Sequence, residues 1–192
     1  MKTRFAVLAA AVALAAPALA ADTYQFDKSH TTVGFSVRHI VTNVGGKFQD
    51  FSGTIQVDKA KLESSSVEFT IQAASINTNE PKRDEHLKSP DFFDVENNPQ
   101  ITFVTKKIEP DGGDWKVTGD LTIRGITTEV VLDGEVTGPL KDPWGGSRIG
   151  LSLDGKVNRK DFGMVWNTAL EAGGFLVGDD VKLNIEVELL RK

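Results

Sequence analysis

From residue 23 to the end of the chain, apolar and polar positions alternate with a period of two. Val33, Phe35, Val37 and His39 alternate with Thr32, Gly34, Ser36 and Arg38, and Ile55 and Val57 with Thr54 and Gln56. Val67, Phe69 and Ile71 alternate with Glu68, Thr70 and Gln72, and Ile101, Phe103 and Thr105 with Thr102, Val104 and Lys106. Residues 115–123, 130–136, 149–157 and 181–189 repeat the pattern. Each run predicts a strand with one buried face. Eight or nine such strands, separated by turns rich in Gly, Asp and Pro, predict an all-β sandwich or barrel. An antiparallel barrel of about eight strands is the better fit, because closure removes the edges of a long sheet. Such a barrel is either filled by its own side chains or holds one small ligand. Asp111-Gly112-Gly113-Asp114 predicts a tight hairpin, and Arg124-Gly125-Ile126 a second tight turn.

One stretch breaks the alternation. Thr78 to Ser89 has the composition of a short helix: Thr78 or Asn79 as cap, Glu80 and Pro81 in the first turn, Lys88 near the end, and Pro90 as a stop. A helix is therefore expected over 79–89. The connection over 91–99 carries adjacent Phe92 and Phe93, which suits a lid loop folded over an apolar opening. Residues 58–66 read as a solvated turn, 138–146 as an irregular crossing, and 173–178 as a flexible loop.

The first twenty residues follow another logic. Lys2 and Arg4 precede an uncharged apolar run over 5–16, and Ala18-Leu19-Ala20 is a small-residue cleavage signal. This predicts a secretory signal peptide over 1–20, a single domain over 21–192, and export, with the periplasm as the expected compartment. The apolar run falls short of the roughly 20 residues that a helix crossing a membrane needs, so the protein is not expected to be membrane-integral. Cleavage would remove two of 22 basic residues and none of 27 acidic ones, taking the net charge from −5 to −7. That acidity argues against nucleic acid or an anionic membrane surface as a partner. The chain has no cysteine, which excludes thiol catalysis, thiolate metal sites and disulfides.

Five ordered stretches resemble one known family. They are Phe35-Ser36-Val37-Arg38-His39, the run from Gly46-Lys47-Phe48 to Phe51-Ser52-Gly53, and Arg83-Asp84-Glu85-His86-Leu87 followed by Asp91-Phe92-Phe93. The others are Gly119-Asp120-Leu121-Thr122-Ile123-Arg124-Gly125, and Asp161-Phe162-Gly163 with Trp166-Asn167. Together the chain resembles the YceI-like periplasmic proteins. The resemblance implies a lipocalin-like antiparallel β-barrel with one short helix, non-catalytic, often a homodimer. Its internal channel would bind a polyisoprenoid, a quinone or another long-chain amphiphile, with no cofactor.

Alternation alone fits a plain core as well as a channel. The 11 Phe against two Met and one Tyr favour a channel, since rigid rings can line a void without collapsing into it. With the resemblance, Val33, Phe35, Val37, Ile55, Phe69, Ile71, Phe92, Phe93 and Phe103 are the candidate channel residues. Arg38, His39, Lys47, Arg83 and His86 are candidates for a head group, through bidentate contact to a phosphate or donation to a quinone oxygen. Arg38 has outward parity unless a bulge near Gly45-Gly46 turns it inward. The competing reading of Arg83 is an ion pair with Asp84 or Glu80.

An enzyme reading finds little support. His30, His39 and His86 lie on three different elements, and no nucleophile elbow or paired metal-ligand spacing occurs. Asp84, Glu85 and His86 are adjacent, so on a helix they point in different directions. No catalytic or metal residue is expected. A solid-core domain that binds a protein partner is the remaining alternative, distinguished by the absence of an internal void.

Overall fold

The computed structural model describes residues 22–58, 61–171 and 173–191. The signal-peptide expectation falls on residues outside this set. Eleven strands share one antiparallel sheet: β1 (Asp22–Phe26), β2 (Thr32–His39), β3 (Thr42–Phe48), β4 (Phe51–Val57), β5 (Ser66–Gln72), β6 (Ile76–Asn77), β7 (Gln100–Asp111), β8 (Asp114–Ile123), β9 (Ile126–Lys141), β10 (Ser147–Asn158) and β11 (Val177–Arg191). Among the described residues the single α-helix is α1 (Pro81–Lys88).

Pairing runs β1–β4–β5–β7–β8–β9–β10–β11 and closes by β1 against β11, giving an eight-stranded antiparallel barrel. β11 is long enough to serve two partners on one side. Its C-terminal residues pair with β1, and residues 177–186 pair with β2. β2, β3 and the short β6 thus extend the wall at the end of the barrel where α1 lies. The Arg124-Gly125 turn and the β2–β3 turn are at this α1 end. The Asp111–Asp114 hairpin and the β9–β10 turn are at the opposite end.

The expected strands are all present, and the sequence pattern missed three. β1 is short, β6 has two residues, and β3 carries Gly45 and Gly46, so none shows a long alternation. The irregular crossing expected over 138–146 is shortened to residues 142–146, because β9 continues to Lys141. Both tight turns form as expected, with Gly112, Gly113, Arg124 and Gly125 all at positive φ. β2 and β3 pair residue for residue from Val33↔Phe48 to His39↔Thr42, so no bulge intervenes.

The helix cap differs from expectation. The Thr78 hydroxyl and N–H both donate to the Asp84 carboxylate, at 2.6 and 2.9 Å, and Thr78 is buried. The Glu80 carboxylate is left to accept from the N–H groups of Lys82 and Arg83, at 3.3 and 2.6 Å. Pro81 at the first helical position lacks the N–H that would otherwise need a partner.

Buried apolar residues fall into two groups rather than one core. Phe48, Phe51, Ile101, Ile123, Phe162 and Met164 belong to the group at the α1 end. Tyr24, Ile55, Val57, Ile149, Val187 and Leu189 form the other, toward the opposite end.

Candidate functional site

The barrel is hollow. A cavity of about 620 Å³ runs inside it, from His86, Phe92 and Trp166 at the α1 end to Trp115, Ile108 and Pro139 at the other. Lining positions extend from Trp115 to Ile123 on β8 and from Val177 to Val187 on β11. At about 3.3 Å per residue and a strand tilt of about 40°, this is a channel about 20–25 Å long. The cavity is therefore elongated along the barrel axis. The wall is almost wholly apolar.

The channel stays open because large side chains lie along the wall instead of across it. At inward positions 46, 53 and 119 the chain has glycine. A Cβ there would come within 2.5 Å of the Phe35 ring, 2.8 Å of Phe69 and 2.4 Å of Phe103, respectively. Each ring therefore packs flat over the backbone of a neighbouring strand. Leu153 over Gly134 and Leu132 over Gly155 repeat the arrangement with aliphatic residues. The alternation identifies the phenylalanines as inward; only the cross-strand register reveals that a recess is waiting for each of them.

All nine candidate channel residues line the cavity: Val33, Phe35, Val37, Ile55, Phe69, Ile71, Phe92, Phe93 and Phe103. Of the five head-group candidates, His39, Arg83 and His86 line it, all at the α1 end. Arg38 and Lys47 do not, which corrects their assignment to the mouth. With no bulge in β2–β3 they keep outward parity, and both are exposed. Arg38 donates from Nε to the Ile40 carbonyl at 3.1 Å.

Arg83 makes no ion pair with Asp84 or Glu80, whose carboxylates are engaged by Thr78 and by the helix cap. Its Nε donates to Thr78 Oγ1 and its Nη2 to the Thr78 carbonyl, both at 2.8 Å. Its Nη1 has no protein acceptor among the described residues. His39 likewise has no hydrogen-bond partner among them. His86 is more constrained. It donates from Nε2 to Asp91 at 2.9 Å, and its ring meets Phe92 and Trp166 edge-on at 5.1 and 4.8 Å. Asp91, not the adjacent Asp84 or Glu85, is its partner.

The α1 end is closed by a plug of these rings, and two arginines missed in the sequence hold it. Arg124, in the β8–β9 turn, donates from Nη1 to the carbonyls of Pro90 and Phe92, at 3.0 and 2.6 Å. It thereby ties the lid loop to the barrel. Phe93 then packs edge-on against Phe48 at 5.6 Å. Arg159 is 3% exposed and donates to the carbonyls of Gly178, Met164 and Trp166 and to Asp179 Oδ1. The hydrogen bond from Lys160, with the nearby Arg159 charge, holds the Asp179 carboxyl below the usual carboxylate range. Asn167 fixes the same segment by accepting from the Val177 N–H and donating to its carbonyl. The sequence signal for these roles is local: Arg124 beside Gly125, and Arg159 two residues before the Asp161-Phe162-Gly163 motif.

The opposite end is held by charge. Arg148 donates to Asp142 at 2.8 Å, to Asp27 at 2.9 Å and to Glu188. Bonds from Ser29, His30 and Arg148, in that order, hold the Asp27 carboxyl far below its ordinary value. Arg148 first, then backbone N–H groups, lowers the Asp142 carboxyl below the usual carboxylate range. Asp27, His30 and Glu188 bring three potential metal-ligand atoms within 4.8 Å of one another. The Arg148 guanidinium already sits on two of these groups, so their charge is compensated without a cation.

Among the described residues, no helix is long and apolar enough to cross a membrane. The YceI-like domain family matches residues 24–189. A UPF0312 protein of Staphylococcus aureus (strain MSSA476) is 40% identical over 167 residues, covering 86% of this chain and 95% of its own. The crystal structure of the Campylobacter jejuni YCEI protein aligns with a TM-score of 0.71 at 41% identity, over 88% of this chain and 98% of that one. A domain of Saccharophagus degradans, described as polyisoprenoid-binding and implicated in plant cell wall breakdown, shares the fold with a TM-score of 0.62 at 12% identity, over 88% and 98% of the two chains. Barrel, channel and sequence agree, and the chain belongs to the YceI-like domain family.

Proposed function

We propose that this protein binds one long-chain amphiphile, of isoprenoid type, and keeps its tail out of water without chemically altering it. The observation that carries this reading is the elongated apolar channel whose basic lining residues, His39, Arg83, His86 and Arg159, gather at one end. Burial is worth roughly 0.8 kcal/mol per CH₂, so a long tail needs no polar anchor for tight binding. The head group then lies at the α1 end, within reach of Arg83 Nη1 and His39, where either a phosphate or a quinone oxygen would find a donor. The Saccharophagus degradans domain supports the isoprenoid assignment by its described ligand class. The hollow interior disfavours the solid-core alternative. The basic, apolar and small-residue pattern of residues 1–20 supports export, and a water-filled periplasm is where such a carrier has work to do.

Native mass spectrometry, followed by organic extraction of protein purified without detergent, tests the reading. A lipid bound at one per chain is expected. An empty protein that also refuses added polyprenyl lipids would refute it.

A further inference from the structure

The turn between β2 and β3 consists of Ile40 and Val41. Ile40 has φ +47°, in the left-handed region where a β-branched residue is a rare outlier and where glycine ordinarily sits in two-residue hairpin turns. Ile40 is 46% exposed and Val41 75%. Neither burial nor backbone preference accounts for two large aliphatic side chains at this tip. Backbone strain kept for an exposed apolar side chain points to a role outside the fold itself.

The tip adjoins the channel mouth. The Ile40 N–H donates to the Leu176 carbonyl at 3.1 Å, and His39, Leu176 and Val177 line the cavity. Phe175 beside them is 62% exposed, with the Lys160 ammonium 6.0 Å from its ring. Arg38 lies on the outer face next to the turn, with no carboxylate partner among the described residues. The rim thus joins two aliphatic residues, one aromatic residue and the Arg38 cation, while Lys160 is paired with Asp179 at 2.7 Å.

We propose that this rim docks on a lipid bilayer, with Ile40, Val41 and Phe175 entering the head-group region so that the tail passes directly between bilayer and channel. The inference rests on the channel being a lipid site. A tail crossing open water would expose roughly 0.8 kcal/mol per CH₂, so the mouth has to touch the donor surface. Apolar tips beside a long-stemmed cation such as Arg38 have the chemistry of a membrane interface, and the local charge there differs from the acidity of the chain as a whole. The opposite end also exposes Leu140 and Trp144, but there the carboxylates of Asp27, Asp142 and Glu188 gather around one arginine. Anionic head groups would be repelled from that end.

The double variant I40G/V41S tests this with little risk to folding, because glycine relieves the strain at position 40. Wild-type protein should cosediment with vesicles of phosphatidylethanolamine and phosphatidylglycerol and draw a fluorescent polyprenyl alcohol from them. The variant should extract it at least about tenfold more slowly, yet load to the same extent from detergent micelles. Wild-type extraction by I40G/V41S would overturn the proposal, as would slowing by W144S in its place. A dimer of the wild type that dissociates in I40G/V41S, with no vesicle binding, would overturn it in favour of a second copy covering the rim. Failure of the wild type to load from micelles would instead refute the channel reading.

Discussion

The two ends of the barrel share one sheet but are secured by different chemistry. At the α1 end, Arg124 and Arg159 bind mainly backbone carbonyls, which do not titrate. At the opposite end, Arg148 binds three carboxylates. The first arrangement anchors a covering made of loop and short helix, whose carbonyls have no strand partner. The second ties strand ends that already have their ladder bonds. The end that carries the charged channel lining is therefore held mainly by bonds to carbonyls, with the Asp179 carboxylate and the His86–Asp91 pair as its titratable members, and the end that only needs closing is held by charge.

Arg159→Met should break the comparison most severely. It leaves the buried Met164 carbonyl and the half-buried carbonyls of Gly178 and Trp166 unpaired, at a cost of about 3–5 kcal/mol in denaturant unfolding. A cost under about 1 kcal/mol would mean the α1 end does not depend on it. Between the ends, Gly119→Val puts a side chain where the Phe103 ring lies. It should cost about 1–3 kcal/mol and push the ring into the lumen, cutting lipid stoichiometry well below one. Full loading in that variant would show that the recesses do not set the channel width.

Arg124→Ala should cost less, about 1–2 kcal/mol. Its clearer signature is kinetic: faster ligand exchange at the α1 end, read by stopped-flow displacement. Unchanged exchange would show that the lid loop does not gate the channel.

The smallest effect concerns acid. The folded-state carboxyls of Asp27 and Asp142 lie below their ordinary 3.8, so their contribution is full above that value and is lost as pH falls through the folded values. Hydrogen exchange should show strands β1, β9 and β10 loosening at the opposite end below about pH 4, before the α1 plug. Arg148→Met should flatten part of this dependence, the part owed to Asp142 most, while Ser29 and His30 continue to hold Asp27. Earlier loosening of the α1 plug would reverse the comparison.

Legibility in the sequence followed the range of the interactions. Val33, Phe35, Val37, Phe69 and Phe103 were placed inward by alternation alone, because strand geometry sends every second side chain to one face. The helix was legible from Pro81 and Pro90, but its cap was not, since Asp84 takes Thr78 through a bond across six positions. His39 follows its strand parity; Arg38 keeps its outward parity because the β2–β3 register contains no bulge, and Lys47, paired with Gly34 in that register, lies on the same outer face. Arg124 and Arg159 were invisible as clamps, because their acceptors are carbonyls whose position depends on the folded loop.

By itself, then, the sequence determined an all-β chain with inward and outward faces, its turns, one helix and its family, all set by local backbone preference and period-two burial. Only the tertiary structure decided that the barrel is hollow. That depends on which strand lies beside which: a phenylalanine fills the lumen or lies against the wall according to whether its cross-strand neighbour is a glycine. The register bringing Phe35 to Gly46, Phe69 to Gly53 and Phe103 over Gly119 exists only once the sheet has closed.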